Sequence, residues 1–307
     1  MEQKKAMEEQ TYSNSDGRSI VRFVETQCNG IRSLVLSRYA IGYVLHGRKL
    51  IYCGDECRHV ACGDLFYLGI GHHYIENLAD ERHPFEQIVF YYSHERLQRI
   101  MRHLTITYGL TVTNKHSCDQ CRAQNAIVMP CWGALRGFFA STDVYLREEG
   151  LVRDEAAENI KLTELVYHIA LHGDCCLKSR MLGNLDSSRE SFEHTIYEYV
   201  FRDCPIEELA RCTHRSITSF KKEFQRLFFM PPHRWFIRQR LMHARLLLIS
   251  TTMSVSEIGA ACIFANTSHF IKLFKREFGL TPAMYRSSYR QTPPPRNWDN
   301  PEELYNN

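Results

Sequence analysis

No run in this 307-residue chain approaches the roughly 18 consecutive apolar residues of a membrane span, and no apolar core follows the start Met1-Glu-Gln-Lys-Lys5 to make a signal peptide. Both absences point to a cytoplasmic protein with no membrane partner. There is no glycine-rich phosphate loop and no recognisable pairing of a nucleophile with a base, so an enzyme is not expected and no cofactor is called for. The twelve cysteines form no compact disulfide framework. In a reducing compartment they read mostly as small buried hydrophobes. Neither glycine nor proline occurs between residues 234 and 249, which predicts one uninterrupted helix there. What remains is an ordinary globular composition, 44% hydrophobic and 24% charged, over a length that suggests two domains.

The positive signal lies in residues 204–290, where one pattern occurs twice. Ile206, Leu209, Phe220, Phe224, Phe228, Pro232 and Trp235 recur as Val255, Ile258, Phe270, Phe274, Phe278, Pro282 and Tyr285. The offset is 49 from Ile206 to Val255 and 50 from Phe220 to Phe270, so the second turn holds one added residue. Two copies of one supersecondary unit are implied, each with the parts of a helix-turn-helix. In the first, Pro205 opens a short helix, a turn covers 212–215, and Ser216 caps a helix that buries Phe220, Phe224 and Leu227. In the second, Ser254 and Glu257 form a capping box, Phe270, Phe274 and Phe278 make the buried stripe, and Gly279 stops the helix. Residues 201–290 carry a net charge of +9 and the remainder −6, an electrostatic footprint for phosphates.

Ile206-Glu-Glu-Leu-Ala210, Arg240-Leu-Met-His-Ala-Arg-Leu-Leu-Leu248, Ser268-His-Phe270 and Phe274-Lys-Arg-Glu-Phe-Gly-Leu-Thr-Pro282, followed by Tyr285-Arg286, resemble the AraC/XylS family of bacterial transcription regulators. The resemblance covers about the last third of the chain. It implies seven helices with two recognition helices in successive major grooves, about 34 Å apart on one face of a duplex. Carried over by position, it implies that Ser216, Thr218, Lys221 and Lys222 in the first unit, and Ser268, His269 and Lys272 in the second, face DNA, with Thr267 on a phosphate. Both turns usually hold glycine in the family, and here they hold His214 and Ile263. A β-branched residue tolerates a left-handed backbone poorly, so the second turn is either strained or differently shaped.

The first half reads as short strands: 33–36, 40–45, 48–52, 64–68 and 87–92 are β-branched or aromatic runs broken by turn residues, the pattern of a sandwich or barrel. Val44-Leu-His-Gly47, Ala61-Cys-Gly-Asp64 and Gly69-Ile-Gly-His-His73 resemble the cupin-like β-barrel sensor half of the same family. Its aromatic strands suggest effector contacts at Tyr39, Tyr43, Phe66 and His73, for either a small molecule or a protein effector. Cupin metal sites use His-x-His, whereas His72 and His73 are adjacent and in a strand face opposite ways. His46, His59, His73 and Glu76 have no spacing that demands convergence, and no metal is expected there. His116, Cys118, Cys121 and Cys131 make a conceivable zinc or redox set, beside the plainer reading of a loop with unrelated thiols.

The expected fold class is α+β: a cupin-like β-barrel with flanking helices, then an all-α domain of two helix-turn-helix units joined by a long helix. The boundaries are a disordered N-terminus at 1–18, the barrel at 19–104, a helical dimerisation region at 105–172, a linker at 173–190, the DNA-binding domain at 191–290 and a disordered tail at 291–307. Helices at 127–145 and 154–172 are expected to pair two protomers through Leu162, Leu165, Val166 and Ile169. The function implied is a DNA-binding regulator, read as an activator, with double-stranded DNA, RNA polymerase and an effector as partners. A redox- or metal-responsive regulator and a cupin-type metalloenzyme with a DNA-binding tail are the alternatives.

Overall fold

The run Phe85-Glu-Gln-Ile-Val-Phe-Tyr-Tyr92 shows no alternation of apolar and polar residues because both of its faces are covered. It is β8 of a five-stranded antiparallel sheet ordered β1-β8-β3-β6-β9, formed by β1 (Ile20–Glu25), β3 (Tyr39–His46), β6 (Asp64–Leu68) and β9 (Ala126–Pro130). A second, four-stranded sheet is ordered β2-β7-β4-β5, from β2 (Arg32–Leu36), β4 (Arg48–Cys53), β5 (Glu56–Val60) and β7 (Gly71–Leu78). The computed structural model describes residues 18–53, 56–80, 82–116, 118, 125–147 and 154–291. The termini read as disordered, up to 17 and from 292, fall outside that set, as does Cys121.

Between the sheets lie Ala40, Val44, Phe66 and Val89 of the larger one, against Leu36, Ile51, Val60 and Ile75 of the smaller. Gly42 stands opposite Phe66 in the ladder, and a Cβ there would meet the ring at 2.0 Å. The outer face of the larger sheet, with Tyr39, Ile41, Leu65, Tyr67, Phe90 and Tyr92, is covered by helices. These are α1 (His94–Tyr108), α2 (Gly133–Arg147), α3 (Glu155–Leu171) and α4 (Cys176–Gly183).

Three expectations change. No ladder joins the two sheets among the described residues, so the β half is two facing sheets and not a closed barrel. Residues 126–130, read as the start of a helix, are edge strand β9 on β6: Ile127 and Val128 are β-branched, and Pro130 is tolerated at an edge. The linker at 173–190 is instead helical. Leu177 and Met181 of α4 are buried in the helix–sheet core, and Asp186 caps the next helix, α5 (Ser187–Glu198), in place of Ser191.

The chain divides into two compact units. One comprises residues 1–200 and 204–235, and the other residues 201–203 and 236–307. The first therefore holds the β half together with the first helix-turn-helix, built from α5, α6 (Ile206–Cys212) and α7 (Ile217–Phe228). Helix α8 (Pro232–Ser250) opens on a proline that has no N–H to lose, and its later turns belong to the second unit. That unit adds α9 (Val255–Ala261), α10 (Thr267–Phe278) and α11 (Pro282–Gln291).

The repeat extends to ring geometry. Phe224 and Phe228 are 4.5 Å apart, as are Phe274 and Phe278; Trp235 meets Phe224 edge-on at 5.6 Å, and Tyr285 meets Phe274 edge-on at 5.7 Å. It extends also to the turns. After α6, the His214 N–H reaches Arg211 O (2.9 Å) and the Arg215 N–H reaches Ala210 O (2.9 Å). After α9, the Ile263 N–H reaches Ala260 O (3.0 Å) and the Phe264 N–H reaches Gly259 O (2.9 Å). Both are Schellman endings, which place the residue after the cap in the left-handed region. His214 sits at φ 53° and Ile263 at φ 60°. The second turn is thus strained rather than reshaped.

An L-residue there costs about 1–2 kcal/mol, partly offset in any glycine variant by the larger entropy of its unfolded chain. Ile263→Gly is expected to stabilise the second unit by about 1 kcal/mol, measured by urea unfolding beside Ile263→Ala. Equal losses for the two variants would show that the side chain, and not the backbone, decides this position.

Candidate nucleic-acid interface

Each unit presents one helix with a sharply divided surface. In α7, Phe220 and Phe224 are fully buried, while Thr218, Lys221 and Lys222 are exposed. Ser216 caps the helix, its Oγ accepting the Ser219 N–H at 3.2 Å, and its own hydroxyl proton remains to donate. In α10, Phe270, Leu273 and Phe274 are buried, while Thr267, Ser268, His269 and Lys272 are exposed. Asn266 caps that helix by accepting from the N–H groups of Ser268 (2.8 Å) and His269 (3.2 Å), which fixes the backbone carrying those two side chains. In the short helix before it, Ser254 and Glu257 close the expected capping box: the Glu257 N–H donates to Ser254 Oγ (3.2 Å) and the Ser254 N–H to the Glu257 carboxylate (2.7 Å).

The basic residues sort into two groups. Several are engaged by groups of the chain itself, Arg226 while still exposed. Arg226 binds Glu223 through Nε (2.9 Å) and Nη2 (2.7 Å), holding that carboxyl below its usual range. Arg245 Nε donates to Tyr285 OH at 2.6 Å, and Arg286 Nε to Leu248 O at 3.1 Å. Arg240 donates to Arg202 O at 2.7 Å. Lys221 and Lys222 of α7 and Lys272, Lys275 and Arg276 of α10 are all exposed. The net +9 of the sequence therefore overstates what the surface offers to phosphates.

Residues 209–288 match the family profile described as a helix-turn-helix domain, and residues 34–127 match the AraC-like ligand binding domain. The chain belongs to the AraC/XylS family. It is 28% identical over 136 residues to the HTH-type transcriptional regulator GbdR of Pseudomonas aeruginosa, a stretch covering 44% of this chain and 37% of that protein. It is 28% identical over 107 residues to the virulence regulon transcriptional activator VirF of Yersinia enterocolitica, covering 35% of this chain and 39% of the other. The chain thus spans well under half the length of these relatives. Among solved structures, the DNA-binding domain of AdpA in complex with a target DNA is 30% identical, covering 36% of this chain and 98% of that one, with a TM-score of 0.33.

In this AraC/XylS chain the β half and the first helix-turn-helix are tied through α5. Phe192 of α5 packs on Phe220 (5.5 Å) and Phe224 (6.2 Å), and Tyr197 meets Phe228 (6.0 Å) and Trp235 (5.4 Å). Tyr197 also accepts a hydrogen bond from Asn125 Nδ2 (3.0 Å) and lies against Gly71, where a Cβ would meet its ring at 2.3 Å. Asn184, between α4 and α5, donates to Tyr67 OH (3.0 Å) and Tyr92 OH (3.1 Å), and its carbonyl bonds the His94 ring at 2.9 Å. Burial pushes the Tyr67 hydroxyl up to about 12 and that of Tyr92 well above its ordinary value, so both stay neutral. The sequence reading missed Asn184 and Tyr197. Their only signal was a polar residue and an aromatic inside a stretch taken for linker and helix surface.

The effector candidates fall on two faces of the larger sheet and on the smaller one. Phe66 and His73 belong with the buried Lys49 and Asn77: Lys49 Nζ donates to Asn77 Oδ1 at 2.8 Å and lies 5.3 Å from the Phe66 ring centre. Burial lowers Lys49 to about 7 and His73 to about 4. Tyr39 and Tyr43 are on the opposite, helix-covered face, Tyr39 bonding Glu193 of α5 at 3.5 Å and Tyr43 stacking on Phe139 at 4.6 Å. A ligand between the sheets would meet Phe66 and His73, not the two tyrosines.

The stripe of Leu162, Leu165, Val166 and Ile169 is buried in the chain's own helix–sheet core. Outward, α3 shows Ile160, Tyr167 and Leu171. His46, His59, His73 and Glu76 do not gather: His46 stacks on His83, His73 Nε2 bonds Gly69 O at 2.8 Å, and Glu76 accepts from Tyr52 OH at 2.8 Å. No helix among the described residues is long and apolar enough to cross a membrane.

Proposed function

We propose that the chain is a sequence-specific DNA-binding transcription regulator, and not an enzyme, acting in the cytoplasm on double-stranded DNA. The observation that carries this reading is the pair of like-turned units, each exposing Ser or Thr and Lys on one helix face over two fully buried phenylalanines, Phe220 and Phe224 in one and Phe270 and Phe274 in the other. Bases are read by such groups, while the backbone is held by charge. The printed name of one relative, the transcriptional activator VirF, favours an activator, and contact with RNA polymerase is part of the same proposal.

The effector acts on the β half, either small molecule or protein. Helix α5 offers the route to DNA, since one element carries both the tyrosine network of the sheet and the aromatic floor of the first helix-turn-helix. Pairing of two copies stays within the proposal but moves to the outer face of α3, with Ile160, Tyr167 and Leu171, because the inner stripe is spent on the core.

The test is to select duplexes from a random library with the full chain and to compare the selected and random sequences by fluorescence anisotropy across salt concentrations. A specific regulator holds its selected site about 10³-fold or more tighter at physiological salt. Equal affinities that fall together with salt would leave only non-specific phosphate binding and sink the reading.

A further inference from the structure

The segment after α1 and the head of α4 bring three soft ligand atoms together. His116 Nε2 lies 3.2 Å from Cys118 Sγ and 3.2 Å from Cys176 Sγ, and the two sulfurs are 3.6 Å apart. All three residues are half-buried, and they are the only such grouping of His, Cys, Asp or Glu among the described residues. A tetrahedral zinc with Zn–S near 2.3 Å and Zn–N near 2.0 Å separates its ligand atoms by roughly 3.8 Å for S···S and 3.5 Å for S···N. The observed triangle is smaller by only a few tenths of an ångström.

The backbone around the triangle is fixed independently of it. The Lys115 N–H donates to Asp174 Oδ2 at 3.1 Å, and Asn114, with its amide turned to satisfy both ends, bridges Asp174 Oδ1 (3.1 Å) and the Ser179 N–H (3.2 Å). Lys178 Nζ caps His172 O at 2.9 Å, and Trp132 stacks on the His172 ring at 3.8 Å. Cys131, the residue nearer in sequence, instead turns to Trp132 O at 3.6 Å and takes no part.

We infer that His116, Cys118 and Cys176 form a binding site for a zinc-like divalent cation. Two thiolates and an imidazole select a borderline-soft metal over calcium or magnesium, and three protein ligands leave one coordination place for water, an added thiol or a further side chain. Binding releases protons from the two thiols. The metal would staple residues 58 apart in sequence, Cys118 and Cys176, and so fix the head of the helix that leads into α5.

The experiment uses the full chain, reduced with a phosphine, stripped by a chelator and titrated with cobalt(II) and then zinc. The expected result is one equivalent of cobalt with thiolate-to-metal charge transfer and the d–d bands of a four-coordinate ion, bleached by zinc, and a zinc-dependent rise in the melting temperature. Cys118→Ser and Cys176→Ser should each weaken zinc binding at least 100-fold, and His116→Asn should shift the d–d bands, while Cys28→Ser should behave as wild type. Should a variant fail to fold, protection of Cys118 and Cys176 by zinc against alkylation in the unaltered chain supports the site, and alkylation at an unchanged rate overturns it. Absence of cobalt bands, bands unaltered in both serine variants, or a reduced chain that takes no metal and simply oxidises to a Cys118–Cys176 disulfide would each overturn the assignment.

Discussion

Leu165→Glu is expected to unfold the first compact unit and not to release a folded monomer. Leu165 is 0% exposed, in the seam where α3 meets the outer face of the larger sheet beside Leu162, Val166 and Ile169. A carboxylate there has no cationic partner in that apolar cluster, and burying an unpaired charge costs about 3–5 kcal/mol or more, enough to remove most of a domain's stability. Far-ultraviolet circular dichroism and urea unfolding of the purified variant measure it. A variant with native ellipticity and an unchanged midpoint would return the stripe to the surface. Ile160→Glu, on the outer turn of the same helix, should leave the fold intact, and its sedimentation then reports on pairing.

The second large effect is on DNA. Lys221→Ala and Lys272→Ala should each weaken the selected site by about 1–3 kcal/mol if each lysine meets a guanine edge, and the double variant by about the sum. Random duplex should lose much less. Arg226→Ala serves as the control, because its guanidinium is already engaged by Glu223 and Asp186. Anisotropy on both duplexes separates the outcomes. Equal losses on selected and random DNA would make the lysine a phosphate contact.

What could be read from the sequence divides along a physical line. The two helix-turn-helix copies were legible because their signals are local: a phenylalanine every fourth residue, a serine or proline at each helix head, and a fixed repeat offset. Even the left-handed turns were visible as His214 and Ile263 standing where glycine is usual, though only the structure shows that the hydrogen bonds of a Schellman ending hold Ile263 at φ 60°. The strands were legible as β-branched and aromatic runs, but not their closure, since nothing in a strand states which edge it leaves unpaired. Helix α4 was lost because its glycine, asparagine and serine neighbours imitate a linker, while its stability comes from Leu177 and Met181 meeting a distant core. Tyr39 looked like a ligand contact because aromatic strands suggest a cavity. The pleat instead points it at α5. The cysteine–histidine cluster was half legible: His116 and Cys118 were named, and Cys176 could only be added by folding.

The two copies fold in different company. The second closes its core with residues from Ile237 to Tyr285, all near one another along the chain. The first depends on α5 and the residues just before it, whose anchors reach far back: Tyr197 to Asn125 across 72 residues, Asn184 to Tyr92 across 92 and to Tyr67 across 117, Glu193 to Tyr39 across 154. Contacts of long sequence separation form late because loop closure comes before any reward. The second copy can therefore assemble from its own neighbourhood, whereas the first waits for a finished sheet. Synthesis runs in the favourable direction, since the strands leave the ribosome before α5 does, and the surface that α5 needs can be complete by the time it arrives.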